Sequence, residues 1–122
     1  MAIQRILIVD DSPTERYYLT DILVKNGFTV STAENGEEAL AKIKSDKPQL
    51  ILMDVVMPGA NGFQVTRAIA RDPELADVPI IICSSKNQET DRIWGLRQGA
   101  RDYLVKPVDA QELLAKIATL GG

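Results

Sequence analysis

The chain has 122 residues, of which 45% are hydrophobic and 25% charged, a balance that excludes intrinsic disorder and fits one folded domain. Its net charge of -3 argues against binding to a nucleic-acid backbone, and no apolar run reaches the roughly 20 residues of a membrane span. The lone cysteine and the absence of histidine exclude an internal disulfide, a His-based zinc site and a His-containing catalytic triad.

Five short apolar runs predict β-strands, because each is rich in aliphatic residues and is bounded by polar residues, Gly or Pro. These runs cover residues 3–9, 28–33, 50–53, 79–83 and 103–105. The runs at 50–53 and 79–83 contain no polar side chain, which is typical of strands covered on both faces, as in a parallel sheet.

The first predicted helix begins at a capping box, Ser12-Pro13-Thr14-Glu15. In such a box the Ser12 side chain accepts a hydrogen bond from the Glu15 amide, and the Glu15 side chain accepts one from the Ser12 amide. Pro13 suits the first helical position, and Gly27 is placed to end the helix.

Four further helices are predicted over residues 35–44, 63–71 and 89–98 and from Asp109 onward, because their apolar residues recur at helical spacing. The alternation of five strands with five helices predicts right-handed crossovers and a three-layer α/β sandwich around a parallel sheet. Open sheets of this kind bind ligands at the carboxyl ends of their strands. The residues that follow each strand are therefore the candidates for function.

Polar residues of complementary chemistry follow four of the predicted strands. Asp10 and Asp11 follow the first, Asp54 the third, Ser84 the fourth and Lys106 the fifth. Any one of them alone is more commonly a helix cap or a turn residue. Because parallel strands end at one edge of a sheet, the five together predict a shared crevice.

Three carboxylates in one crevice repel each other, and a hard divalent cation such as Mg²⁺ relieves that repulsion and lets a phosphoryl group approach. We therefore expect Asp10 and Asp11 to hold the metal and Asp54 to act as a nucleophile towards phosphorus. Lys106 and Ser84 would contact the phosphoryl oxygens.

Four segments, ILIVDDS, LILMDVVMPGANG, IIICSS and GARDYLVKP, resemble in this order the receiver (CheY-like) domain of two-component response regulators. The resemblance covers essentially the whole chain. It implies a flavodoxin-like fold with strand order 2-1-3-4-5 and one receiver domain over residues 1–122 without an output domain. The segments DSPTE and WGLRQGARDYLVKPVD resemble, more narrowly, stand-alone receivers associated with twitching motility through type IV pili.

The resemblance also implies roles for individual residues. Asp54 would take a phosphoryl group from a phosphohistidine on a separate, chemotaxis-type histidine kinase. The side chains of Asp11 and Asp54 and the backbone carbonyl of Val56 would bind Mg²⁺, with Asp10 helping through water. Ser84 and Lys106 would hold the phosphoryl oxygens.

A switch and an output surface are implied in the same way. Tyr103 would turn inward when Ser84 is drawn towards the phosphate, and the Lys106–Pro107 bond would be cis. The face of the fourth helix, fifth strand and fifth helix would bind a downstream protein. We expect a cytoplasmic protein that binds neither nucleic acid nor the membrane interior, and that catalyses only its own phosphorylation and dephosphorylation.

Three other functions are compatible with parts of the pattern. The main alternative is a Mg²⁺-dependent phosphatase with an aspartate nucleophile, but its first-strand acids usually lie one residue apart, whereas Asp10 and Asp11 are adjacent. A flavodoxin would have to bind a phosphate beside these two acids. A degenerate scaffold would be indicated by the loss of Asp54 or Lys106, and both are present.

Trp94 and several arginines have two interpretations. Trp94 is either a half-buried packing residue or a partner anchor, since Trp is enriched at binding hot spots. Arg92, Arg97 and Arg101 are either solvated charges or a basic margin for an acidic partner.

Overall fold

The structure, a computed structural model, describes residues 2–121 and contains one five-stranded parallel sheet. Its strands are β1 (Arg5–Val9), β2 (Thr29–Ala33), β3 (Leu50–Met53), β4 (Ile80–Ser84) and β5 (Asp102–Val105). Their spatial order is β2-β1-β3-β4-β5, which confirms the predicted flavodoxin-like α/β fold. Every residue of β3 and β4 is buried, as expected for central strands with helices on both faces.

Five helices alternate with the strands. They are α1 (Pro13–Lys25), α2 (Gly36–Ser45), α3 (Gly62–Arg71), α4 (Glu89–Arg97) and α5 (Ala110–Gly121). One side of the sheet packs with α1 and α5, and the other packs with α2 and α3. Among the helices of residues 2–121, none has the length and apolar content needed to cross a bilayer.

The largest difference from the predicted strands is at the start of the chain, where β1 begins at Arg5 rather than at residue 3. The side-chain oxygen of Gln49 accepts hydrogen bonds from the amides of Gln4 and Arg5 at 2.7 and 2.9 Å. A side chain from the loop before β3 therefore satisfies the backbone there, and sheet pairing starts later. The carboxyl ends of the strands, where the candidate residues lie, match their predicted positions within one residue.

Candidate functional site

The register of the sheet places Asp10 beside Asp54. Val9, the last residue of β1, pairs with Met53, the last residue of β3. Backbone hydrogen bonds extend the pairing by one residue on each strand: the Asp54 amide donates to the Val9 carbonyl at 2.8 Å, and the Asp10 amide donates to the Ala33 carbonyl at 3.0 Å. Both carboxylates are therefore held at the same edge by the sheet itself.

Lys106 reaches that edge from the other side. Ser84, the last residue of β4, pairs with Val105, and its carbonyl accepts a hydrogen bond from the Lys106 amide at 2.8 Å. The Lys106–Pro107 peptide bond is cis, as the resemblance implied. The side chain of Lys106 then crosses the crevice, because its Nζ lies 2.8 Å from Asp10 Oδ2 and 3.2 Å from Asp54 Oδ1.

Burial sets the electrostatics of this cluster. Asp10 is 2% exposed and Asp54 is 7% exposed. Desolvation raises the pKa of the Asp54 carboxyl, the charge of Asp10 raises it further, and Lys106 opposes both effects. Burial alone would lower the pKa of Lys106, but the hydrogen bond to Asp10 and the two carboxylate charges hold that pKa above its ordinary value. Lys106 therefore stays cationic, and ionised Asp54 is held at a cost in stability.

We expect Asp54→Asn to stabilise the protein by an amount that grows with pH. The pKa of Asp54 is higher in the folded state than in the unfolded state. The free energy of unfolding that Asp54 contributes is therefore fully present at pH values below its pKa in the unfolded state. It is lost as the pH rises through its pKa in the folded state. Asparagine removes this loss, so the difference in free energy of unfolding between variant and wild type should increase from mildly acidic to neutral pH.

Urea unfolding at a series of pH values measures this difference. Asp21→Asn is the matched control, because Asp21 lies on the surface of α1 in an exposed ion pair with Lys25, and exposed pairs contribute little. If the difference in free energy of unfolding between Asp54→Asn and wild type stays constant or decreases as the pH rises, the conclusion that burial destabilises ionised Asp54 is contradicted.

The acidic residues of the crevice fit a hard metal ion. Asp10, Asp11 and Asp54 each offer one carboxylate oxygen, and the three oxygens lie within 4.8 Å of one another. Asp11 is exposed while the other two are buried, so the cluster is open to solvent on one side. Three negative charges against the single Lys106 leave the site anionic, and oxygen-only ligands with an open side suit Mg²⁺.

Ser84 and Tyr103 both contact the loop that follows β4. Ser84 is fully buried, and its Oγ accepts a hydrogen bond from the Lys86 amide at 3.1 Å. The Tyr103 hydroxyl donates to the Lys86 carbonyl at 2.8 Å, with its ring buried in the core. The backbone of Lys86 is thus hydrogen-bonded to both Ser84 and Tyr103, and the Tyr103 side chain lies inward in this structure.

Val56 follows Asp54 by two residues, in the loop between β3 and α3, and the residue is 62% exposed. The loop returns to the site because the Gly62 amide donates to the Val55 carbonyl at 2.8 Å. A Cβ on Gly62 would lie 1.9 Å from the Asp54 carbonyl oxygen, so only glycine allows the two segments to approach this closely. The metal-binding role of the Val56 carbonyl stays a prediction.

The capping box at α1 was half wrong. Ser12 Oγ accepts from the Glu15 amide at 3.2 Å, as predicted. The Ser12 amide, however, donates to Asp10 Oδ1 at 2.9 Å, so no donor is left for the Glu15 side chain. Asp10 thereby uses one oxygen to anchor the start of α1 and the other to bind Lys106.

Two residues near the site were not predicted from the sequence to belong to it. Glu15 Oε1 is buried without a hydrogen-bond partner among the described residues, and burial raises the pKa of its carboxyl. Arg16 donates from Nη1 to the Asp10 carbonyl at 2.8 Å and from Nη2 to Glu34 at 3.2 Å. Their position in the first turn after an acidic pair was the available signal, since that turn starts at the crevice.

Comparison with known proteins identifies the class of this fold and site. The family model of the response regulator receiver domain matches residues 6–118. The chain therefore belongs to the response regulator receiver family. Among curated proteins it is 57% identical over 119 residues to Protein PilH of Pseudomonas aeruginosa, a match that covers 97% of this chain and 98% of PilH.

Solved structures agree with this assignment. The chemotaxis protein CheY4 of Vibrio cholerae superposes with a TM-score of 0.90 at 31% identity, covering 98% of this chain and 99% of CheY4. A putative response regulator from Chloroflexus aurantiacus superposes with a TM-score of 0.92 at 32% identity, covering 97% of each chain. The resemblance read from the sequence motifs is thus confirmed at the level of family and fold.

Proposed function

We propose that this protein is a phosphorylation-controlled response regulator in which Asp54 accepts a phosphoryl group from the phosphohistidine of a histidine kinase. The observation that carries the proposal is the juxtaposition of a buried Asp54 with Asp10, Asp11 and the ammonium group of Lys106 at one edge of the sheet. The chain's membership of the response regulator receiver family supports the same function.

The transfer requires one bond to form and one to break. A carboxylate oxygen of Asp54 attacks phosphorus, the bond from phosphorus to the imidazole nitrogen of the donor breaks, and the nitrogen keeps the electron pair. The product is an acyl phosphate. Asp10, Asp11 and Asp54 would hold Mg²⁺, which neutralises charge on the phosphoryl oxygens when bound. Lys106, already 3.2 Å from Asp54, would bind a phosphoryl oxygen, and Ser84 would bind another.

The phosphoryl group would be sensed through the loop after β4. A shift of Ser84 Oγ towards a phosphoryl oxygen would break its hydrogen bond from the Lys86 amide. The Lys86 carbonyl accepts a hydrogen bond from the Tyr103 hydroxyl, so a movement of Lys86 would reach the face of α4, β5 and α5. Exposed apolar residues of α4 and β5, Ile93, Leu96 and Val105, would contact a downstream protein. The similarity to PilH favours control of twitching motility through type IV pili as the process.

Incubation with acetyl phosphate tests the proposal without knowledge of the cognate kinase. We expect a covalent, base-labile phosphoryl adduct on the intact protein when Mg²⁺ is present and none when the metal is chelated. Continuous hydrolysis of p-nitrophenyl phosphate, without an adduct, would instead identify a Mg²⁺-dependent phosphatase. An adduct that forms equally well in chelator would contradict the metal's role.

Mg²⁺ is also expected to raise the thermal stability of the unphosphorylated protein. A ligand that binds only the folded state stabilises it by about 2.7 kcal/mol at a hundredfold excess over its Kd. Thermal unfolding across a Mg²⁺ titration should show this rise in wild type and a much smaller rise in Asp11→Asn. Asp21→Asn is the control, because Asp21 lies away from the cluster on α1. Equal Mg²⁺ responses in Asp11→Asn and wild type would remove Asp11 as a ligand.

A further inference from the structure

A groove of about 420 Å³ lies between the C-terminal halves of α3 and α4, and its chemistry differs from that of the acid site. Two of its lining residues pack very closely, because a Cβ on Gly99 would lie 2.5 Å from the Cβ of Ala70. The turn after α4 therefore rests directly on α3. The other lining residues are cationic, polar or aromatic, namely Arg67, Arg71, Trp94, Arg97 and Gln98.

The charged side chains of this groove are all guanidinium groups. Arg67 and Arg71 lie one turn apart on α3, which contains no acidic residue, and Arg97 lines the groove from the last turn of α4. Like charges one turn apart on a helix repel, and within residues 2–121 none of the three arginines has an ion-pair or side-chain hydrogen-bond partner. In a chain of net charge -3, this local excess indicates an anionic ligand.

A buried polar side chain opens into the same groove. Gln98 is only 8% exposed, yet among the described residues only its backbone amide forms hydrogen bonds. Its side-chain amide is left accessible from the groove, whereas buried amides ordinarily have partners. Trp94, one turn earlier, is 49% exposed. The groove thus offers a donor and an acceptor and an aromatic surface beside three cations.

We propose that this groove binds an acidic segment of a partner protein, whose carboxylates pair with Arg67, Arg71 and Arg97 while its backbone bonds to Gln98. The guanidinium fork matches a carboxylate, and Trp and Arg are the residues most enriched at protein binding hot spots. A side-chain amide can donate to a peptide carbonyl and accept from a peptide N–H. A nucleic-acid strand would extend beyond the three arginines over a chain of net charge -3, whereas a short acidic segment can be confined to the groove, so we favour a protein ligand.

The groove is separate from the phosphorylation site. α3 begins at Gly62, against the Asp54 carbonyl, and runs away from that edge of the sheet before it reaches Arg67 and Arg71. The groove also lies on the α3 side of α4, away from β5 and α5. The proposal therefore does not rest on the proposed function, and Asp54→Asn should bind an acidic segment as wild type does.

Fluorescence of Trp94, the only tryptophan in the chain, reports directly on occupation of the groove. The probe is a synthetic peptide of alternating glutamate and alanine, compared with its glutamine counterpart and with an oligothymidylate of equal charge. We expect a saturable change in emission with the glutamate peptide alone. The triple variant R67Q/R71Q/R97Q should bind about tenfold more weakly, as the loss of three exposed ion pairs implies, and Gln98→Leu should also bind more weakly.

The control variant K25Q/K44Q/K47Q removes the same charge from exposed lysines outside the groove and should bind as wild type does. Equal weakening in both triple variants would show that net charge alone attracts the peptide, and it would overturn the proposal. Equal binding of the glutamine peptide, tighter binding of oligothymidylate, or no saturable response to the glutamate peptide would overturn it as well.

Discussion

Asparagine in place of Asp54 is expected to reduce labelling by acetyl phosphate to background. The amide oxygen of asparagine carries no charge and cannot form an acyl phosphate, although asparagine preserves the size of the side chain. Its oxygen can still accept the hydrogen bond that Lys106 Nζ gives to Asp54 at 3.2 Å, so the crevice should keep its shape. Intact-mass spectrometry after incubation with donor and Mg²⁺ measures the loss.

The other carboxylates of the crevice are alternative acceptors that this experiment distinguishes from Asp54. Asp10 and Asp11 lie within 4.8 Å of Asp54 and meet the same donor, but Asp10 is already bonded to Lys106 and to the Ser12 amide. Asp21→Asn, on the exposed face of α1, should be labelled as wild type is. Full labelling of Asp54→Asn, mapped by peptide mass to another acid, would move the acceptor and end the proposed role of Asp54.

Alanine at Gly62 is expected to destabilise the protein by about 3 kcal/mol or more, the upper end of the cost of overpacking. The added Cβ would lie 1.9 Å from the Asp54 carbonyl oxygen and 2.9 Å from the Val55 Cα. Both neighbours are backbone atoms, so no side-chain rotation relieves the clash. Because the carbonyl belongs to Asp54 itself, the displacement should also slow labelling by acetyl phosphate.

Gly59→Ala is the matched control in the same loop. Gly59 has a φ of 75°, and nothing lies within 4 Å of a Cβ built there, so alanine meets only the backbone strain of the left-handed region, about 1–2 kcal/mol. Urea unfolding of the two variants compares the costs. A loss for Gly62→Ala no larger than that for Gly59→Ala would show that α3 can move away from β3, and the close approach would not be essential.

Local sequence patterns were sufficient to predict the main parts of the site. Short apolar runs, each followed by a turn signal, located the ends of β1, β3, β4 and β5 within one residue. Asp10, Asp54, Ser84 and Lys106 lie at or next to these ends, and carboxyl ends meet at one edge in any parallel sheet. The convergence of Asp10, Asp11, Asp54 and Lys106 was therefore predictable from the polar residues that follow the strands of a parallel sheet, and the receiver-like motifs added the strand order.

Hydrogen-bond partners were less predictable than positions. The start of β1 was placed too early because the Gln49 side chain, more than forty residues away in sequence, takes the amides of Gln4 and Arg5. The predicted bond from the Ser12 amide to Glu15 fails because Asp10 is nearer to that amide. Gln49 could not be identified from the local pattern, whereas Asp10 lies only two residues before Ser12 and is a local acceptor that the capping-box interpretation did not consider.

The amino-acid sequence by itself determined which segments become strands and helices and which polar residues follow each strand, because these properties depend on neighbours along the chain. Only the tertiary structure decided that Lys106 bridges Asp10 and Asp54, that Gly62 touches the Asp54 carbonyl, and that three arginines share a groove. The physical reason is that hydrogen bonds, desolvation and close packing act over a few ångströms in space. Which atoms come that close depends on how distant segments are packed.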